Sequence, residues 1–410
     1  MNKSNKKFDV VIVGAGAGGI AVAASILKRA GHLKVALIDP AQKHYYQPGW
    51  TMVGGGVFKA PVTERDMAPL IPKKATWIQK AVESFEPENN AVVLDDQTKI
   101  EYDRLVVAAG LKLNWGGVEG LEENLGRHGV TSNYRYDLAP YTWELVQNLK
   151  RGRALFTQPP MPIKCAGAPQ KAMYLSGDHW ARQGLTQDID IQFYTSTPGL
   201  FGVADYVPAL MQYVERYGAD LNFQHTLKSI DGERKVATFI NADGETIESD
   251  FDMIHVCPPQ CAPDFIKGSP LADEAGWVDV DQDALQHKRY ENIWSLGDVM
   301  NAPNAKTAAA ARAQAPVVAT NLLYHAGLAK QMASYKGYGS CPLTVERGKI
   351  VLAEFGYGGV LQPSFPKFLL DGTKATRLAW ILKAQMLPWI YWNAMLKGRE
   401  WMATPDLRTP

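Results

Sequence analysis

Residues 8–13 (Phe-Asp-Val-Val-Ile-Val) form a short, nearly continuous apolar run of the kind found in a parallel strand buried on both faces. Glycines follow at once, at Gly14, Gly16, Gly18 and Gly19, and residues 20–30 then read as a helix rich in Ala and Leu. A second apolar run, 35–38, ends in Asp39. After Arg153 the same order begins again, with a strand at 154–157, a helix from about Pro169 and a strand at 191–195. Further strands are expected near 221–225, 235–240 and 252–257, and Asp243-Gly244 between two apolar segments signals a hairpin. This alternation predicts an α/β protein with two Rossmann-like βαβ domains.

The first βαβ unit carries a complete dinucleotide fingerprint. Gly14 allows the tight turn, Gly16 lets the backbone approach a pyrophosphate, and Gly19 lets helix and strand pack closely, with Ala17 and Gly18 between them. Asp39 lies about twenty residues past Gly19, where a ribose-binding acid is required. Two later stretches select among dinucleotides. Residues 103–110 run from a strand into Ala109-Gly110, and residues 292–298 run from a strand into Gly297-Asp298. Both resemble the accessory FAD motifs of the pyridine nucleotide-disulfide oxidoreductase superfamily, which implies FAD in a glutathione-reductase-like fold. Lys306, Thr307 and Ala308 then open a helix whose N-terminus is a candidate to face the flavin ring, where a positive dipole end and a lysine favour its reduced anion. Gln47, beside Pro48, and Val82 complete the candidate cofactor contacts. The FAD-binding domain is therefore expected to be discontinuous, 1–145 and 275–330. It encloses a second Rossmann-like domain at 146–274.

From about residue 331 the pattern changes. Residues 376–402 hold Trp380, Trp389, Trp392 and Trp401 among aliphatic residues, interrupted by Lys383, Pro388, Lys397 and Arg399. A spanning helix needs about twenty apolar residues without such breaks. Two short amphipathic helices are expected instead, the second starting at Pro388, lying in the interfacial layer of a bilayer.

Composition narrows the class. The chain has 410 residues, with 43 basic against 42 acidic side chains, so it shows no nucleic-acid footprint. The start, residues 1–7, has neither an apolar core nor a transit pattern, so a peripheral position on the cytoplasmic face of the inner membrane is expected. Four cysteines are too few for a disulfide scaffold. Cys257 and Cys261 have no matching His or Cys pair, so they are read as bystanders and no metal site is expected.

Cys165 and Cys341 are different. Cys165 lies where the second βαβ unit ought to have a glycine loop; that stretch reads Gln158-Pro159-Pro160-Met161-Pro162-Ile163-Lys164-Cys165-Ala166-Gly167. The strand at 191–195 lacks the ribose acid as well. A thiol just before a helix N-terminus, beside Lys164 and Lys171, has its thiolate favoured by dipole and cations. Cys341 sits in a Gly-Tyr-Gly-Ser-Cys-Pro stretch, an unusual place for a packing cysteine.

Residues 162–171 resemble the first active-site cysteine motif of sulfide:quinone oxidoreductases, and residues 337–343 the second. Residues 305–310 and 352–355 fit the same family, and the resemblance extends nearly end to end. It is nearest to the two-cysteine branch that includes the mitochondrial enzymes, since no third cysteine occurs around 132–134. The resemblance implies catalysis by Cys165 and Cys341, linked in the oxidised state directly or through an extra sulfur. Hydrosulfide would attack on the Cys341 side, FAD would take two electrons, a sulfane-sulfur acceptor (sulfite, a thiol or sulfide) would remove the sulfur, and a quinone would leave with the electrons. Phe355, Tyr357 and Lys383 are candidates for the quinone side. The C-terminal segment, 331–410, thus carries Cys341 and the membrane-associating helices; a homo-oligomer is compatible with the sequence.

Other readings remain open at this point. A single-subunit NADH:quinone oxidoreductase shares the fold but needs the missing second glycine loop. A glutathione-reductase-like enzyme needs a cysteine pair soon after Asp39, and residues 44–50 have none. A flavocytochrome-type sulfide dehydrogenase is exported, and a non-catalytic flavoprotein scaffold would not require the thiol motifs.

Overall fold

The computed structural model describes residues 6–303 and 306–408. The first sheet has seven strands. Ala75–Ile78, Val35–Ile38, Lys6–Val13 and Lys99–Val107 lie side by side in parallel, and Ala91–Leu94 and Val82–Glu86 extend the sheet antiparallel. Ile293–Ser295 returns from far along the chain to pair with Lys99–Val107. Val10, Val11, Ile12, Leu105, Val106 and Val107 are all fully buried, which explains why these strands read as unbroken apolar runs rather than alternating ones. Helix Ala17–Arg29 makes the crossover and packs along helix Ala308–His325.

The second sheet is wholly parallel, in the order Val130–Thr131, Met253–Val256, Gly152–Gln158, Ile189–Thr195, Ala219–Phe223. Val130–Thr131, placed by the sequence boundary at 145 with the first unit, thus hydrogen-bonds into the second. A two-residue strand carries too little pattern to reveal its partner. Thr226–Asp231, unassigned from sequence, joins the expected hairpin Val236–Ile240 and Thr246–Asp250 in a small antiparallel sheet. Gly244 has the positive φ of 81° that this hairpin turn demands.

A third sheet, Gly339–Glu346, Lys349–Phe355 and Ala375–Thr376, closes the thiol site. Helix Ala168–Arg182 packs directly on strand Gly339–Glu346, and Cys341, Leu343 and Val345 share one apolar core with Phe156, Met173 and Phe193. Burying a side chain such as Leu343 stabilises this docking by about 1.5–3 kcal/mol. That packing brings two distant segments of the chain together.

The C-terminal segment corrects one expectation. Arg377–Ile381, a π turn at Leu382–Met386 and Leu387–Asn393 run on as one unbroken helix, not two separate ones. A proline ring clashes with the carbonyl four residues earlier. The wider π turn takes up one extra residue just before Pro388 and lets the helix pass through it. No helix among the described residues is long and apolar enough to cross a membrane.

Candidate active site

The fingerprint loop is built by close approach. At Gly14, φ is +99° and a Cβ would lie 2.5 Å from the Ala108 carbonyl oxygen. At Gly19 a Cβ would meet the Gly14 carbonyl oxygen at 1.8 Å, so only glycine permits this strand–helix packing. Gly16, Gly110 and Gly297 instead face open space, which is what a bound phosphate and sugar chain require. Asp39 accepts the Ala15 N–H at 2.7 Å and the Ala41 N–H at 2.8 Å, so its carboxylate is fixed beside the loop. Thr307 caps helix Ala308–His325, its Oγ1 accepting the Ala310 N–H at 3.1 Å.

These residues share one cavity of about 570 Å³, within the range of small-molecule sites. Its wall includes Gly14, Gly16, Ala17, Gly18, Asp39, Gln47, Ala109, Gly110, Gly297, Asp298, Lys306, Thr307 and Ala308, with Cys165, Lys171 and Lys383. Trp50 Nε1, Thr51 Oγ1, both amide atoms of Asn133 and Arg312 Nε are buried at this wall with no hydrogen-bond partner among the described residues. Buried polar atoms left unpaired are costly, so the wall fits a large polar ligand. A flavin dinucleotide meets that description.

The thiols lie at one end. Cys165 sits in a left-handed turn (φ 54°), held by its N–H donating to the Lys306 carbonyl at 3.0 Å and its carbonyl accepting the Ala168 N–H at 2.7 Å. The turn that presents this thiol is thereby tied to the cofactor-side helix start. The Cys165 and Cys341 sulfurs are 3.4 Å apart. That exceeds the bond of about 2.05 Å in a disulfide, and two free thiols face each other. A Cβ at Gly167 would lie 2.7 Å from the Cys341 sulfur, so the glycine keeps that space clear.

Electrostatics separate the pair. The hydrogen bond from Cys341, followed by the nearby Lys171 ammonium, holds Cys165 well below the usual thiol value, although burial opposes this. The hydrogen bond with Cys165, and then burial, hold Cys341 well above the usual value. Lys171, 3% exposed, donates to the Cys165 sulfur at 3.1 Å. Burial alone would lower Lys171, yet the two sulfurs keep it above its ordinary value. Of the two, Cys165 is the one whose thiolate is favoured.

Lys383, also 3% exposed, projects from the π turn and donates to the Pro48 carbonyl at 3.0 Å. Burial first, and then the Lys171 ammonium, bring it down to about 7 against the pull of both sulfurs. It therefore belongs electrostatically to the thiol end. Lys306 does not extend freely toward the cavity: its ammonium donates to the Asp298 and Met300 carbonyls at 2.7 and 2.8 Å and lies 4.0 Å from the Trp277 ring. Burial lowers it to about 8. The same cause raises Asp298.

Three sequence candidates are placed elsewhere. Val82 is packed into strand Val82–Glu86, away from the cavity wall. Phe355 packs edge-on against Phe201, and the Tyr357 hydroxyl donates to the Gln282 carbonyl at 2.6 Å; neither lines the cavity. Cys257 is buried beside Tyr134, and burial pushes its thiol up to about 12, which suits an inert packing residue. No cluster of metal-ligating side chains occurs among the described residues. The sequence reading missed Asn133, Thr51 and Glu354. It also missed the buried pair His44 and Tyr391, whose Nε2 and hydroxyl are 2.6 Å apart and join the cavity wall to the C-terminal helix. Glu354 falls inside the stretch 352–355 that carries part of the resemblance, but neither it nor the others lies at a motif spacing that assigns it a role.

Comparison with known proteins places the chain. The pyridine nucleotide-disulphide oxidoreductase family matches residues 8–143. A mitochondrial sulfide:quinone oxidoreductase of Dictyostelium discoideum is 43% identical over 98% of this chain and 88% of its own length. The mitochondrial enzyme of that name from Mus musculus is 38% identical over 95% of this chain and 87% of its own. The X-ray structure of the Aquifex aeolicus sulfide:quinone oxidoreductase shares the fold, with a TM-score of 0.79, 22% identity and coverage of 97% of this chain and 93% of that one. With identity at this level over nearly the whole chain, the chain belongs to the sulfide:quinone oxidoreductase family of flavin-dependent oxidoreductases.

Proposed function

We propose that this chain oxidises hydrogen sulfide through the Cys165–Cys341 pair with FAD as cofactor, passing electrons to a membrane quinone and sulfane sulfur to a small acceptor. The observation that carries this reading is the pair of sulfurs 3.4 Å apart, with Cys165 on the wall of the dinucleotide cavity beside a buried lysine and Cys341 directly behind it. The residues that would hold FAD are Gly14, Gly16, Ala17, Gly18 and Asp39 at one end, Ala109, Gly110, Gly297 and Asp298 in the middle, and Thr307 and Ala308 at the helix N-terminus, with Gly19 supporting the loop. Bound FAD supplies a two-electron acceptor that can be reoxidised by quinone.

The chain's own groups do the sulfur chemistry. In the oxidised pair, hydrosulfide attacks the Cys341 sulfur and the bond to Cys165 breaks. Cys341 becomes a persulfide and Cys165 leaves as thiolate, stabilised by Lys171. If one bent sulfur atom bridges the pair, its two bonds of about 2.05 Å span a gap close to the one observed. Sulfite, a thiol or a second sulfide then takes the outer sulfur from Cys341. Re-forming the Cys165–Cys341 link releases the two electrons that the cofactor receives. Lys383 adds positive charge to this end when protonated.

The second βαβ loop argues against NADH as donor. Pro159, Pro160 and Pro162 have no N–H to offer a pyrophosphate, and no glycine stands among them. Leu378, Ile381, Met386 and Trp389 are all more than two-fifths exposed on the C-terminal helix, and Phe368 is 93% exposed nearby. With Lys367, Lys374 and Arg377 also exposed, this face suits a monotopic seat in the interfacial layer, on the cytoplasmic face of the inner membrane. Of the four tail tryptophans Trp389 and Trp401 are exposed, Trp380 is half-buried and Trp392 is buried under Arg65.

Anaerobic addition of sulfide to the purified flavoprotein tests the reading. The flavin spectrum should bleach or develop a long-wavelength charge-transfer band, and Cys165→Ser and Cys341→Ser should each abolish it. Near-normal reduction in either variant sinks the proposal.

A further inference from the structure

Beyond the thiols, one buried acid has no part in the chemistry above. Glu354 is 4% exposed, lines the cavity and has no ion pair with a described residue. Its Oε1 accepts the Tyr338 hydroxyl at 2.7 Å and the Ser364 hydroxyl at 2.5 Å, and its Oε2 accepts the Ser364 N–H at 3.0 Å. Its backbone is fixed as well, by two hydrogen bonds with the Tyr206 hydroxyl at 2.9 and 3.0 Å. Cross-strand partners share a sheet face, so Glu354 lies with Ser340 on one face while Cys341 lies with Ala353 on the other. Cys341 faces the core it shares with the Cys165 helix; Glu354, on the opposite face, lines the cavity.

A buried carboxylate needs partners, and here hydrogen bonds alone supply them. The network also reaches solvent. Ser364 is exposed, on the loop that carries the 63% exposed Val360, and its Oγ is 3.2 Å from the Tyr338 hydroxyl. Ser364, Glu354 and Tyr338 thus form one hydrogen-bonded network on the cavity wall, with Ser364 as its solvent-exposed member.

We propose that Ser364, Glu354 and Tyr338 form the proton path for quinone reduction. The inference rests on the sulfide-to-quinone reading. Sulfide oxidation delivers two electrons, and converting a quinone to its quinol takes those two electrons and two protons. Glu354 passes protons inward from Ser364, and Tyr338 delivers them at the cavity; each is then reprotonated from the surface side.

The test uses full-length, flavin-loaded Glu354→Gln and Tyr338→Phe, reduced anaerobically by dithionite and then mixed with a soluble quinone analogue or with ferricyanide. Ferricyanide takes electrons and no protons. Reoxidation by the quinone should slow by about tenfold or more, as loss of a positioned proton donor does, while reoxidation by ferricyanide stays within about twofold. Quenching of tryptophan fluorescence by the quinone analogue should give an unchanged affinity, separating proton delivery from binding. Unchanged quinone reoxidation in Glu354→Gln, equal slowing with both oxidants, or lost quinone affinity overturns the proposal. Ser364→Ala keeps the carboxylate and should show a smaller slowing of the same kind, which covers the case of a poorly folded Glu354 variant. Because dithionite replaces sulfide, failure of the sulfide reading shows separately, as wild-type flavin that sulfide does not bleach.

Discussion

The Lys171 ammonium lies 3.1 Å from the Cys165 sulfur and is almost entirely cut off from solvent. Each group is what makes the other's charge tolerable. Lys171→Met should therefore raise the pH midpoint for alkylation of Cys165 in the reduced protein and lower the rate at neutral pH by about tenfold, one pKa unit being about 1.4 kcal/mol. The sign follows from linkage: a thiol held below its ordinary value contributes stability that is present above that value and lost as pH falls through the depressed one. An alkylation profile that does not move in the variant removes the role assigned to Lys171.

Gly14→Ala tests the cofactor loop. The added methyl would press on the Ala108 carbonyl from a backbone angle that L-residues avoid. The variant should purify largely free of flavin and melt several degrees lower. Full flavin content at normal stability would show that this loop does not hold the cofactor.

Lys383 makes a pH-dependent prediction. Its folded value of about 7 lies below its ordinary 10.5, so between those limits the unfolded chain binds the extra proton. Stability should therefore rise with pH across that window, by up to about 1.4 kcal/mol per pH unit from this group. Lys383→Met should lack this rise. Denaturant melts of both proteins at pH 7 and 9 measure the difference, and parallel curves would contradict it.

Glu400 anchors the tail. It accepts the Ser25 hydroxyl at 2.7 Å and the Arg29 guanidinium through both oxygens, at 2.5 and 2.7 Å. Trp401 and Met402, just beyond, line the cavity. Glu400→Ala should cost about 1–3 kcal/mol through the loss of charge-assisted bonds, and should speed both proteolysis within 398–408 and loss of flavin on dialysis. Unaltered flavin retention would mean that the tail does not help enclose the cofactor.

Much of this architecture was legible from the chain. The strand at 8–13, the glycine loop and Asp39 were readable because each follows from a local rule of sterics or burial. Cys165 stood out because prolines occupied a place where glycines are needed. The convergence of Cys165 with Cys341 came instead from long motif resemblance, since only the packing of Leu343 and its neighbours on helix Ala168–Arg182 joins them. Tertiary satisfaction was invisible. Asn133 and His44 have no sequence spacing that announces them, Glu354 sat within the stretch 352–355 without a role of its own, and Phe355 and Tyr357, read as quinone-side candidates, have rings that turn toward other partners.

The helix that passes through Pro388 does so with one more residue than a regular turn would hold. Each α-helical residue advances the side-chain direction by about 100°. Shortening Leu382–Met386 by a single position would therefore swing Trp389 off the outer face and Tyr391 away from His44, while leaving Ala379 upstream where it was. The angular phase between what this segment shows the outside and what it inserts inside is set by that one surplus residue.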